Sequence, residues 1–203
     1  MLIHFYRLSY FIFILFQITN VSAANTENKI AILVNDNVIT NYDIEQRVKF
    51  FSLSNKIQIT PENSVAITNK IIDELIDDIL KNEKVLEYKI KVKDKDLYEF
   101  QEIYIKNRGF ENANFLSLMS LNNISTDTFD QIIKTDLSWQ ILINRLYFRT
   151  TSVSELEIDE LIKKDQSLSP DIAEKMVMDK QLALRSNKLL RDLRSEATIE
   201  YKQ

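Results

Sequence analysis

Residues that break helices are almost absent from this chain of 203 residues, which contains one glycine and two prolines. Between these residues, apolar side chains recur three and four positions apart over long stretches, which is the period of an amphipathic helix. We therefore predict a mainly α-helical protein, a multi-helix domain without an internal repeat or a low-complexity linker.

The beginning of the chain has the pattern of a secretory signal peptide. Arg7 precedes an almost wholly apolar stretch, residues 8–18, which is shorter than the roughly 20 residues of a membrane span. Val21 and Ala23 fit the small-residue rule for cleavage. We predict a signal peptide over residues 1–23, cleavage after Ala23, export, and a single helical domain over residues 24–203 that is not inserted in a membrane.

The residue inventory excludes most kinds of catalytic site. The chain has no cysteine, and its one histidine, His4, lies in the predicted signal peptide. This removes histidine bases, cysteine nucleophiles and ordinary zinc or copper sites from the predicted exported form. We predict that the protein is not an enzyme and has no catalytic residue, metal or cofactor.

The net charge of −4 argues against nucleic acid as a partner, because a protein that binds phosphates needs a basic patch. Lysine and arginine instead alternate with aspartate and glutamate along most of the length, as on solvated helix faces. No basic amphipathic helix predicts binding to a membrane surface.

Capping residues predict where the helices begin and end. A lone glycine, Gly109, is expected to adopt a left-handed conformation after one helix end. Hinges are expected at residues 55–60 and 165–170, and a last helix from about Asp171 to Arg194. The predicted helix starts are Thr40 with Asp43, Thr60 before Pro61, Asp94, Ser125 or Thr126, and Ser154 with Glu157.

The two ends of the domain predict a small sheet. Two short β-prone runs, residues 30–34 and 38–40, flank Asp36 and Asn37, which tolerate the left-handed geometry of a tight turn. The last residues alternate apolar and polar side chains from Ala197 to Tyr201, the period of a half-buried strand. We predict that the N-terminal hairpin pairs with this C-terminal strand.

An acidic run, DELIDD at residues 73–78, raises the question of acid catalysis or metal binding. Lys70 stands four residues before Glu74, and Lys81 stands four residues after Asp77. We interpret these charges as ordinary i,i+4 ion pairs on a helix surface. No functional role is predicted for the run.

Three segments resemble the SurA-type periplasmic chaperones: NKIAILVNDNVITNYDIEQRV, KIIDELIDDILKNEKVLEYKIKVKDKDL and FLSLMSLNNISTDTFDQIIKTDLSWQILINRL. The resemblance rests on a hairpin followed by capped helices in the same order and spacing. It covers residues 28–164, and residues 171–203 resemble the C-terminal helix and strand of that family. The resemblance implies a periplasmic, ATP-independent holdase for unfolded outer-membrane proteins.

One departure from the family pattern changes the expected activity. Members usually carry one or two parvulin-type prolyl isomerase domains before the C-terminal helix, whereas a short segment joins Lys163 to Asp171 here. We therefore predict a chaperone without prolyl isomerase activity. An adaptor that docks on one folded partner is the alternative, and pairing of two molecules into a homodimer is left open.

The clients implied by the resemblance are barrel strands in which apolar residues alternate with polar ones. A protein that binds many such strands is expected to have a groove lined by aromatic and methionine side chains. One short region contains six such residues, Tyr98, Phe100, Tyr104, Phe110, Phe115 and Met119, and Phe50 and Phe51 add a pair. Aromatic residues at helical spacing are also typical of a core, and Trp139 is interpreted as a core residue. The predicted peptide-binding residues are Tyr98, Phe100, Tyr104, Phe115 and Met119.

Overall fold

The computed structural model describes residues 28–202, so the predicted signal peptide lies outside the described residues. Within this range the prediction of a mainly α-helical protein is confirmed. A turn of 3-10 helix, Phe148–Thr150, follows the fifth helix. The elements in chain order are β1 Ile30–Val34, β2 Asn37–Thr40, α1 Asn41–Asn55, α2 Pro61–Glu87, α3 Asp94–Asn107, α4 Asn112–Leu121, α5 Thr126–Tyr147, α6 Glu155–Lys164, α7 Pro170–Glu196 and β3 Ile199–Tyr201.

The predicted sheet from the two chain ends is confirmed, with strand order β2-β1-β3 and antiparallel pairing throughout. The prediction had both strands of the hairpin pairing with the C-terminal strand, whereas only β1 pairs with β3. The predicted turn residues were wrong by one position: the turn is Asn35 and Asp36, and Asn37 already belongs to β2. Asn35 has the left-handed φ of 51°, and its Oδ1 accepts the Thr198 N–H at 3.0 Å.

Local capping chemistry explains most helix boundaries. At the start of α1, the Asp43 N–H donates to Thr40 Oγ1 at 3.2 Å and the Thr40 N–H donates to Asp43 Oδ2 at 2.8 Å, which is a reciprocal capping box. Pro61 opens α2 and Ser125 caps α5. Gly109 has a φ of 72° just beyond α3. These four predictions are confirmed.

One predicted cap was wrong and one is confirmed in part. Asp94 is the first residue of α3, and Lys93 occupies the N-cap position. Ser154 is the N-cap of α6, as predicted, but it makes no side-chain capping bond, so the predicted capping box is absent. The carboxylate of Glu157 binds α7 instead. It accepts hydrogen bonds at 3.2 Å from both Lys180 and Gln181 on α7.

Three hydrophobic clusters form the interior. The first joins α1, α3, α4 and α5 through residues that include Phe50, Phe115 and Phe129. The second packs the sheet on α2 and α7, and the third lies between α2, α5 and α7 around Trp139. Trp139 is buried, as predicted, and its Nε1 donates to Ser186 Oγ at 2.8 Å.

The acidic run on α2 makes contacts that its sequence spacing did not predict. The Lys70–Glu74 pair is confirmed, but Lys81 Nζ binds Asp78 at 3.1 Å instead of Asp77. Asp77 and Asp73 both bind Arg194, because α7 packs along α2 and brings the Arg194 guanidinium within reach of the two carboxylates.

The described residues contain no group of side chains arranged to hold a metal ion. None of the helices in this part of the chain is long and apolar enough to span a membrane.

Candidate binding surfaces on the two sides of helix α1

Two of the predicted peptide-binding residues lie in the protein core. Phe115 is 0% exposed and Met119 is 1% exposed, and the Phe115 ring centroid lies 5.4 Å from that of Phe129. Phe115 and Met119 are four residues apart, so both lie on the face of α4 that packs against α1 and α5. Neither side chain lines a groove at the surface. The prediction of surface binding is therefore wrong for these two residues, and the core interpretation holds.

The other three predicted residues lie on α3. Tyr98 is 56% exposed and donates a hydrogen bond to Glu102 at 2.8 Å. Phe100 and Tyr104 are half-buried and pack against the first cluster. Client binding by these three residues stays a prediction.

Two neighbouring surface depressions, which we call the Phe110 grooves, lie beside α1 and beside α4 respectively. Their volumes are about 540 Å³ and about 470 Å³, and Phe110 borders both. The first is lined by Val48, Lys49, Ser52, Leu53, Lys56, Ile57, Gln58, Ile59, Phe110 and Asn122. The second is lined by Gly109, Phe110, Glu111, Asn114, Ser117 and Leu118.

The loop after α1 supplies the apolar wall of the first groove. Lys56 ends the helix with a left-handed φ of 56°. Ile57 is then fixed to the helix end, since its N–H donates to the Ser52 carbonyl at 3.0 Å and its carbonyl accepts from Ser52 Oγ at 2.6 Å. These bonds hold the backbone only, and the Ile57 side chain remains 38% exposed.

The turn after α3 places Phe110 between the two grooves. Gly109 adopts its positive φ there, which an L-residue with a side chain adopts only at a cost. The Phe110 ring lies 5.1 Å from the Phe115 ring, centroid to centroid, and Lys56 Nζ lies 4.5 Å from the Phe110 centroid. An apolar side chain entering either groove would therefore contact a ring that the core already holds in place.

A more polar cavity, which we call the Arg108 cavity, has a volume of about 330 Å³. It uses a different set of α1 residues from the first Phe110 groove, so the helix separates this cavity from that groove. Its lining consists of Arg47, Phe50, Phe51, Ser54, Asn55, Lys70, Glu74, Asp77, Asp78, Lys81, Tyr104, Arg108, Ile132 and Asp136.

Charged side chains cross-link the wall of the Arg108 cavity. Arg47 Nη2 lies 2.6 Å from Asp78 Oδ2, and Lys81 Nζ lies 3.1 Å from Asp78 and 4.0 Å from Asp136. Burial raises the pKa of the Asp136 carboxyl above its ordinary value, although Lys81 opposes this shift. Burial also raises the pKa of Tyr104 to about 12.

Of the predicted binding residues, Tyr104 lines the Arg108 cavity, but sequence reasoning missed other residues that shape the two surfaces. Phe110 was one of the clustered aromatic residues but was not retained as a binding residue, and Ile57 and Arg108 were not considered. A usable signal was present for two of them. Ile57 lies in a predicted hinge and Phe110 follows the lone glycine, and exposed loops at helix ends often carry binding residues.

The comparison with known protein families decides the identity of the fold. A family model described as the SurA-like N-terminal domain matches residues 2–143. The chain belongs to this family. The matched range contains every residue that lines the Phe110 grooves and the Arg108 cavity.

Two curated relatives of this SurA-like chain are named Chaperone SurA. The protein from Saccharophagus degradans is 24% identical over 148 residues, which are 71% of this chain and 34% of the relative. The protein from Vibrio vulnificus is 25% identical over 154 residues, which are 73% of this chain and 36% of the relative. The chain thus spans about a third of the length of these relatives.

A solved structure gives a further comparison. It describes the virulence factor PEB4 and the periplasmic protein Cj1289 as two structurally related SurA-like chaperones in Campylobacter jejuni. The match covers 87% of this chain and 100% of the other, with 15% identity and a TM-score of 0.46.

Proposed function

We propose that this protein is an ATP-independent periplasmic chaperone that binds unfolded outer-membrane proteins and has no prolyl isomerase activity. Membership of the SurA-like N-terminal domain family supports a chaperone role. The observation that carries the proposal is the pair of Phe110 grooves inside the family-matched region, a mainly apolar depression and a mixed one that share the ring of Phe110.

Two grooves that share one wall residue, Phe110, suit an extended client. In an extended chain, side chains two positions apart lie on the same face and about 7 Å from each other. Strands of outer-membrane barrels alternate apolar and polar residues with this period. Two apolar side chains of one strand would enter the two grooves, with the ring of Phe110 between them.

Binding of this kind requires no energy source. A surface that binds the unfolded chain and not the folded one lowers the concentration of free aggregation-prone segments by mass action. Release follows when the client folds or is assembled, because the alternating apolar residues then become buried elsewhere.

The proposal is tested by light scattering. The protein, without residues 1–23, is mixed with several unrelated outer-membrane proteins that are diluted from urea, and aggregation is followed over time. We expect suppression of aggregation for all of these clients. Suppression of none, together with purification of one native complex from the periplasm, would favour the adaptor alternative.

Three further points have separate tests. A proline-peptide assay checks the expected lack of isomerase activity, and catalysed isomerisation would contradict it. Cell fractionation checks the periplasmic location, and light scattering of the purified protein checks whether two molecules pair.

A further inference from the structure

Arg108 is the one cation of the Arg108 cavity that has no carboxylate within 4.0 Å among residues 28–202. It lies at the end of α3, half-buried beside Tyr104. The other lining cations all have such partners: Arg47 with Asp78, Lys81 with Asp78 and Asp136, and Lys70 with Glu74.

Contacts with Tyr104 hold the Arg108 guanidinium in position. Its central carbon lies 3.3 Å from the centroid of the Tyr104 ring, and Nη1 donates one long hydrogen bond of 3.4 Å to the Tyr104 carbonyl. The Tyr104 ring itself packs against Phe50 and Phe129, with centroid distances of 6.3 Å and 5.7 Å. The guanidinium is therefore preorganised, while most of its donors are unused.

Unsatisfied donors are concentrated at this cavity. Among residues 28–202, three buried side-chain atoms have no hydrogen-bond partner, and two of them are Nε of Arg47 and Nε of Arg108. Buried polar atoms in native proteins nearly always have partners, so two such atoms beside one cavity require an explanation. Neither guanidinium is therefore saturated by acceptors within this part of the protein.

The chemistry of arginine identifies the class of ligand. A guanidinium presents parallel N–H donors in one plane, and this arrangement matches the two oxygens of a carboxylate. The cavity volume of about 330 Å³ lies at the small end of the range for ligand sites. It suits one carboxylate-bearing residue, with Phe50 and Phe51 as the apolar part of the wall.

We propose that the Arg108 cavity binds a carboxylate of the unfolded client, either the chain-terminal carboxylate or an aspartate or glutamate side chain. This inference rests on the proposed function, since the carboxylate belongs to the same client that occupies the Phe110 grooves. Helix α1 separates the first Phe110 groove from the cavity, and the path around one side of a helix about 10 Å across is about 16 Å. An extended chain spans that distance in about five residues.

The test uses fluorescence anisotropy with a fluorescent peptide of alternating apolar residues in three forms. The first form has no acidic residue and an amidated C-terminus. The second has a free C-terminal carboxylate about five residues beyond the last apolar side chain. The third is amidated and carries an aspartate at that position. The two acidic forms distinguish a terminal carboxylate from a side-chain carboxylate.

Two arginine variants provide a matched comparison. Arg108→Gln removes the cavity guanidinium. Arg145→Gln removes another arginine that donates a single 3.4 Å hydrogen bond to a backbone carbonyl, that of Tyr88, but lies outside the cavity. Arg108→Lys keeps the charge and loses the paired donors, so it serves as the second variant if Arg108→Gln does not fold. Thermal unfolding of each variant establishes that it is folded.

We expect at least one acidic peptide to bind the wild-type protein about tenfold more tightly than the amidated peptide, because a hydrogen-bonded charge pair adds roughly this much. Arg108→Gln should abolish this preference and leave the affinity for the amidated peptide unchanged. Arg108→Lys should reduce the preference, and Arg145→Gln should retain it.

Two results would overturn the inference. If the wild-type protein binds acidic and amidated peptides equally, the cavity does not bind a carboxylate. If Arg108→Gln weakens all three peptides alike, Arg108 acts through the structure of the protein. Both results leave the proposed function intact, because the peptides still bind. If no peptide binds the wild-type protein, the proposed function is wrong and this inference is wrong with it.

Discussion

Arg47 Nη2 on α1 lies 2.6 Å from Asp78 Oδ2 on α2, and both side chains are largely buried, with exposed fractions of 10% and 14%. The pair joins α1 to α2, and both helices line the Arg108 cavity. Its contribution to stability is therefore also a contribution to the geometry of the site. A buried ion pair that loses one partner leaves an uncompensated charge, which is strongly destabilising.

The variant Asp78→Asn should lower the free energy of unfolding by about 3 kcal/mol, because Arg47 then keeps its charge without a carboxylate. Urea unfolding followed by circular dichroism measures this loss. Asp73→Asn is the matched control on the same helix, because Asp73 pairs with Arg194 at the surface and is 58% exposed. It should cost less than about 1 kcal/mol. Equal losses in the two variants would contradict this account of the Arg47–Asp78 pair.

A second prediction concerns the Phe110 grooves. Ile57→Ser removes an apolar side chain from the groove wall without removing a backbone hydrogen bond, so it should weaken suppression of client aggregation while the melting temperature stays nearly constant. Light scattering with an unfolded outer-membrane protein measures the first quantity, and circular dichroism measures the second. The double variant Ile57→Ser with Phe110→Ser should be weaker still.

The control for the groove is Leu86→Ser. Leu86 is 75% exposed and lies on α2, outside the lining of both grooves. If its loss weakens suppression as much as the loss of Ile57, general surface hydrophobicity and not the Phe110 grooves explains client binding.

The features that were predicted correctly from the sequence depend on residues close together in the chain. The Thr40–Asp43 capping box and the left-handed Gly109 are of this kind, since each follows from backbone geometry within one turn. The SurA-like resemblance was also available, because it depends on the order and spacing of such local signals.

The charged contacts of the candidate site were not predictable in the same way. Asp77 binds Arg194, which is 117 residues away, and this contact exists only because α7 packs along α2. The burial of Phe115 has the same origin. An apolar stripe on a helix indicates that one face is covered, but the position of the neighbouring helices decides which residues a groove still exposes.

A third prediction tests the corrected turn of the hairpin. Asn35 has a φ of 51°, and its side chain binds both the Thr198 N–H at 3.0 Å and Glu83 at 2.8 Å. Asn35→Gly loses these hydrogen bonds but accepts the backbone conformation. Asn35→Ala loses the same bonds and also adopts a left-handed conformation, at a cost of about 1 kcal/mol.

Urea unfolding should therefore show Asn35→Ala to be less stable than Asn35→Gly by about 1 kcal/mol. Asp36→Ala is the control, because Asp36 is exposed and has no left-handed φ. It should change stability by less than about 0.5 kcal/mol. The opposite order, with Asp36→Ala the more damaging change, would restore the original assignment of the turn.

A fourth prediction follows from the raised pKa of Asp136. Burial disfavours the charged carboxylate in the folded protein and so raises the pKa of Asp136 above its ordinary value of 3.8. An acid with a raised folded-state pKa favours folding only while it is protonated, and this contribution is lost as the pH rises through the folded-state pKa. At pH 7 the charge of this partly buried side chain therefore reduces stability, and Asp136→Asn should raise the melting temperature.

This advantage of Asp136→Asn should shrink as the pH falls. It should disappear below about pH 3.8, where the wild-type carboxyl is protonated in both the folded and the unfolded state.

Glu157→Gln provides a control of opposite sign, because hydrogen bonds from Lys180 and Gln181 lower the pKa of Glu157 below its ordinary value of 4.5. Glu157 stabilises the folded state above that value and loses this effect as the pH falls through the folded-state pKa. Melting curves from pH 3 to pH 8 should therefore place the two variants on opposite sides of the wild-type protein near neutrality and bring all three together in acid. A melting temperature for Asp136→Asn that stays below the wild-type value at pH 7 would show that the Lys81 contact outweighs the cost of burying the charge.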